Sequence, residues 1–302
     1  MTQANPNDSD LHGGLAGVKF EIDNSSLGHG ITLRQTYAHL MSSFMLAFRI
    51  PHPPEHFGEP WKAAKGGISV DIVAEIHVPR CYKPPEPYDR INTIWWLVSL
   101  LRLHSTCLVF CPATANASFS EAVAVPDDAF HVWPIEVEPR KTWEEAPKRI
   151  ITEADVEWLA AHWEAARLLR KQSTEFALAT YAFDQCTFLS QPELALLSLW
   201  GALEALFSPD SRELRFRVSS NIAAFLEPAG IVRMELQSRI AKLYDVRSKA
   251  AHGQHGQQAD IRTPLRETYQ LVRRVLIQIV EEGHAPTHED LRRRLFGAEN
   301  GG

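Results

Sequence analysis

Cysteine is scarce in this chain and poorly placed for cross-linking. The four residues, Cys81, Cys107, Cys111 and Cys186, show no repeated pair spacing, which excludes a disulfide framework and predicts free thiols in a reducing compartment. Long apolar runs are lacking too. The longest, IWWLVSLL, is far too short to span a bilayer, and the opening MTQANPNDSD carries neither a basic nor an apolar stretch of the kind that directs export. A cytoplasmic protein with no part in the membrane is expected. An excess of positive charge is missing as well. A formal net charge of −6 over 302 residues excludes a surface wrapped throughout in nucleic acid and leaves room only for a focused basic cleft. No Walker loop, nucleophile elbow, dinucleotide fingerprint or internal repeat occurs, and no cofactor is expected.

Proline marks the division of the chain. Fourteen of the nineteen prolines lie at or before Pro147, and none falls between Pro147 and Pro192, so long helices are permitted only after that change. The fold class expected is α+β with two domains: a polar tail over 1–15, a mixed α/β domain over 16–150, a helical bundle over 151–290 and a second tail over 291–302. In the first domain, GISVDIVAEIHV alternates Ile68, Val70 and Ile72 with polar or small residues and predicts a strand. INTIWWLVSLLRLH predicts a helix and TCLVFCPA a short buried strand, while PHPPEHFGEP and PRCYKPPEPYD predict rigid loops. After Thr152, five helical segments follow with short connections, the first running from Thr152 through Phe183, which favours an antiparallel bundle.

One residue breaks the helical pattern. Between Ile231 and His252, the positions Leu236, Ile240, Leu243, Arg247 and Ala251 fall on one face, which aims Arg247 toward the core. A buried guanidinium needs a carboxylate, a set of carbonyls or an opening onto a wet cleft. Gly253 predicts a left-handed cap that leaves His252 at the helix terminus, near the level of the arginine. Two readings stay open: an ion pair of Arg247 with Glu204, Asp245 or Glu213 that fixes helix packing, or a site built from Arg247 and His252.

The stretch RSKAAH, Arg247 to His252, fits the R-x(4–6)-H signature of the HEPN superfamily. Its surroundings, WGALEALFSP, RFRVSSNIAAFL and IAKLYDVRSKAAHG in that order, resemble the Apea-like HEPN group over roughly residues 176–280. The resemblance implies a metal-independent endoribonuclease that homodimerises through the helical bundle, with an RNA substrate and a role in bacterial antiviral defence or growth arrest. The N-terminal domain would receive a protein or ligand trigger. Carried onto this chain, Arg247 would hold the scissile phosphate and His252 would move protons. Glu204, Arg217, Ser248 and Lys249 would support the site. Many active members have Asn, Asp or His after the arginine where this chain has Ser248, whose hydroxyl can orient a phosphate but cannot ionise, so a non-catalytic module binding RNA, nucleotide or protein is the alternative. Residues 212–249 hold eight basic and four acidic side chains, a local positive balance that suits a phosphate track or a solvated face.

Other candidates have plainer readings. His252 with His255, and His284 with His288, lack a third ligand in register and are expected to be loop histidines. Cys107 and Cys111 are expected as buried small hydrophobes on one strand face, and Trp95 and Trp96 as packing residues.

Overall fold

The computed structural model describes residues 5–47, 61–138, 140–145, 147–208, 213–253 and 260–297. The chain forms two units. The first comprises Met1–Trp95, Val109–Val137 and Arg149–Glu153, and the second Trp96–Leu108, Glu138–Lys148 and Ala154–Gly302. The expected α+β organisation holds, but the sequence boundary at 150 does not, because each unit is assembled from three segments.

The first unit is an antiparallel sheet. Strands β1 (Leu11–Ala16), β2 (Lys19–Phe20), β3 (Asn24–Gly28), β4 (Ile31–Ala47), β5 (Trp61–Val78), β6 (Ala113–Ala115), β7 (Val132–Pro134) and β8 (Ile150–Ile151) are arranged with β3-β4-β5-β1-β6-β7 in one sheet and β2-β8 as a parallel pair. Helix α1 (Arg90–Ser105) begins in this unit and passes into the second after Trp95. β5 contains the strand predicted from its alternation. The PHPPEHFGEP loop lies outside the described residues, and PRCYKPPEPYD is irregular as expected.

Two expectations fail here. The tail over 1–15 does not exist as such: all six residues of β1 are buried in the sheet, and the segment before it is tied down by Arg90, whose guanidinium donates to Ser9 O at 2.6 Å and Pro6 O at 3.0 Å. TCLVFCPA is not a strand either. It makes one isolated bridge, Ala16 with Phe110, because Thr106 takes φ +62° and Pro112 has no N–H to give to a ladder. Cys107 and Cys111 are nonetheless buried, and all four cysteines are free thiols.

Glycine spacing explains how the sheet is covered. A Cβ at Gly13 would lie 2.5 Å from Ile94 Cγ2 of α1, and one at Gly14 would lie 2.7 Å from Ile72 Cδ1 and 3.0 Å from Phe119 Cε2. Close approach on both faces of β1 therefore requires glycine twice. The Gly14 face is polar in its interior. Glu75, register partner of Gly14, is fully buried and accepts from Arg34 Nε at 2.7 Å and Phe119 N at 3.0 Å, with His12 Nδ1 at 3.2 Å.

The second unit is helical: α2 (Glu153–Gln172), α3 (Thr174–Gln185), α4 (Pro192–Phe207), α5 (Leu214–Leu226), α6 (Ile231–Ala251), α7 (Arg262–Glu282) and α8 (His288–Phe296), of which α2 has its first residue in the sheet unit. The single helix expected from Thr152 to Phe183 is broken at Ser173, whose Oγ accepts from Phe176 N at 3.1 Å and caps α3. The tail expected over 291–302 starts inside α8, whose Leu291 is buried. Its start is a reciprocal cap between Thr287 and Asp290. Trp96 packs in the core, with Nε1 donating to Trp163 O at 3.1 Å; Trp95 is half-buried. Asp184 is buried between Arg102 and Arg140, each guanidinium 2.9 Å from a carboxylate oxygen. No helix among the described residues is long and apolar enough to cross a membrane.

Candidate functional site

Helix α4 buries half of its residues and packs against α3, α5, α6 and α7. Beyond its first turn the only acidic residue is Glu204, and a half-buried carboxylate among apolar neighbours calls for a cation. Helix α6 supplies it: Arg247 Nη2 donates to Glu204 Oε2 at 3.0 Å, with the two side chains 25% and 21% exposed. Arg247 does not sit in the core seam. Ile240 and Leu243 are buried, but Ala251 is exposed, so the arginine stands where the apolar stripe surfaces. Of the three carboxylates that sequence offered it, Asp245 belongs to Arg215 instead, whose Nε and Nη2 donate to Oδ1 and Oδ2 at 2.6 and 2.8 Å.

The pair has an aromatic floor. The Arg247 guanidinium lies 5.5 Å from the centroid of the Tyr244 ring, and Tyr244 meets Trp200 edge-on at 5.2 Å. Burial, followed by the charge and proximity of Glu204, raises the Tyr244 phenol pKa. Tyr244 was not singled out from sequence, although its position three residues before Arg247 puts it on the same face. Three buried polar atoms of this cluster lack a hydrogen-bond partner among the described residues: Glu204 Oε1, Arg247 Nε and Trp200 Nε1. Each such atom costs about 1–3 kcal/mol when left dry.

The remaining predicted residues are more dispersed. His252 follows α6 as its exposed C-terminal cap, with Gly253 at φ +63°, as the His-Gly pair predicts. Among the described residues its side chain makes no hydrogen bond or ion pair, and none joins it to Arg247. Ser248 is half-buried and Lys249 exposed on α6, while Arg217 is half-buried on α5. The positive balance over 212–249 is not a row of open cations. Arg215 and Arg239 are engaged in two-pronged pairs with Asp245 and Glu267, Arg247 with Glu204, and Arg233 donates to the carbonyls of Glu227 and Arg294 at 2.9 Å each. Arg212 and His255 lie outside the described residues. His284 Nδ1 contacts Glu282 O at 3.0 Å, and among the described residues neither His284 nor His288 belongs to a group able to share a metal ion.

The chain matches no family model, no curated protein and no solved structure.

Proposed function

We propose that the helical unit is a HEPN-like RNA-cleaving module in which Arg247 binds the scissile phosphate and His252 moves protons. The observation that carries this reading is the Glu204–Arg247 pair. Unlike the two-pronged pairs of Arg215 and Arg239, it is joined by a single donated contact and leaves a buried acceptor on Glu204 and a buried donor on Arg247 without a partner. A phosphate oxygen provides the acceptor that Arg247 Nε lacks, in the geometry a guanidinium favours. Glu204 holds the cation in place while no phosphate is bound.

In the reaction the 2′-oxygen attacks phosphorus, its proton leaves to a base, the P–O5′ bond breaks and the 5′-oxygen takes up a proton. The products are a 2′,3′-cyclic phosphate and a 5′-hydroxyl. His252 is exposed at the helix end and free of described partners, which suits either proton transfer. Two copies complete the cleft, each giving one arginine and one histidine. Ile231, Val232 and Met234 on α6, exposed by 66, 55 and 66%, support self-association through this helix. The setting in defence or growth arrest follows from the resemblance alone. Ser248 and the unoriented His252 favour a second reading, a module that binds RNA, nucleotide or a protein partner without cutting.

Purified protein in EDTA is expected to cleave total RNA. Arg247→Ala and His252→Ala each lower the rate by about 100-fold or more, and light scattering gives twice the 34.0 kDa chain mass. Intact RNA with a salt-sensitive gel shift selects the binding module. Neither cleavage nor shift overturns both RNA readings.

A further inference from the structure

The sheet unit holds a second constellation that the RNA reading does not use. His12 on β1 and His77 on β5 are direct register partners, their rings stacked with centroids 4.7 Å apart. Asp10, just before β1, places Oδ2 3.0 Å from His77 Nε2. One ligand atom from each of Asp10, His12 and His77 lies within 4.8 Å of the other two, and among the described residues this is the one group of its kind. From this juxtaposition we infer that Asp10, His12 and His77 bind a divalent transition-metal ion of the zinc type.

The donor set and its support fit such an ion. Two imidazoles and a carboxylate suit zinc and its neighbours rather than calcium or magnesium. An ion about 2.0–2.2 Å from each donor separates tetrahedral donors by about 3.4 Å, between the 3.0 Å of the Asp10–His77 contact and the 4.8 Å limit of the group. Small side-chain shifts are enough to close it.

The outer atoms of two ligands are already held. The carboxylate of Glu75 accepts from His12 Nδ1, so the proton sits on Nδ1 and Nε2 carries the lone pair, as in carboxylate–histidine–metal arrangements. Glu75 is itself fixed by Arg34 and by the Phe119 N–H. Asp10 Oδ1 accepts from Arg80 N at 2.8 Å, leaving Oδ2 for the ion. Exposure rises along the group, from 9% for the His12 side chain to 23% for His77 and 48% for Asp10, so the site opens on one side and leaves a coordination position for water or a ligand. Loading displaces the proton shared by His77 and Asp10.

Tag-free full-length protein, stripped by chelator and carrying Cys81→Ser to remove the exposed thiol, is titrated with Zn2+ in calorimetry in buffers of different protonation enthalpy. The expected result is one Zn2+ per chain with proton release. Asp10→Asn and His77→Gln, at the open side where folding is spared, weaken binding by at least 10-fold, and Glu75→Gln weakens it by about 10- to 100-fold. Absence of saturable binding in the Cys81→Ser protein, or equal binding in folded Asp10→Asn with His77→Gln, overturns the assignment.

Discussion

Glu75 shows what a single residue can demand of its neighbours. Burial acts to raise its carboxyl pKa, but the hydrogen bonds of His12 and the Phe119 N–H, with the Arg34 guanidinium, outweigh burial and bring it down to about 2. A carboxylate whose pKa falls on folding stabilises the native state above its unfolded value, and that contribution is lost as pH drops from about 4.5 toward 2. The shift corresponds to about 3 kcal/mol. Urea unfolding at a series of acidic pH values is expected to show wild type losing about that much more stability across this window than Glu75→Gln, and parallel curves would refute it. None of this was legible in VDIVAEIHV, where strand alternation assigns Glu75 and His77 to a wet face. The 119–124 segment that covers that face is remote in sequence and carries no local sign of where it packs. Arg247 was legible as an anomaly, and Glu204 was one of three partners offered. Choosing among them needs the rotation and crossing of α4 and α6, which a period of 3.6 does not encode.

At the scale of elements, periodicity located most of the helices, while at Ser173 a side-chain cap decided where one helix gives way to the next. The stretch LLRKQSTEF continues an apolar stripe with no glycine or proline, and so predicts one helix through Phe183. Ser173 ends it by accepting the Phe176 N–H on its Oγ, a competition between side chain and backbone that an apolar count does not register. Ser173→Ala is expected to lower stability by about 1 kcal/mol, read by thermal or urea denaturation, with Ser173→Gly restoring most of it. An alanine variant as stable as wild type would show that the break owes nothing to this cap. The helix end with a plainer signal, Gly253 after α6, matched expectation because glycine acts through its own backbone rather than through a partner.

For the whole molecule, the proline contrast correctly separated a sheet-forming part from a helix-forming one, and placed one boundary where the chain has several. The polypeptide passes between its units after Trp95, Leu108, Val137, Lys148 and Glu153. A linear reading assigns each stretch to whichever neighbour precedes it, and so misses returns of this kind. Expressing residues 151–302 alone would strip Asp184 of Arg102 and Arg140, leaving a buried anion unpaired at a cost of about 3–5 kcal/mol, and would take Trp96 from the core. That fragment is expected to be insoluble or molten by circular dichroism and near-ultraviolet spectra; a cooperatively folded fragment would contradict this. Because the chain crosses between its units five times, no single breakpoint divides this protein into two ready-made modules, and any recombination that kept both units whole would have to exchange several strips of gene at once.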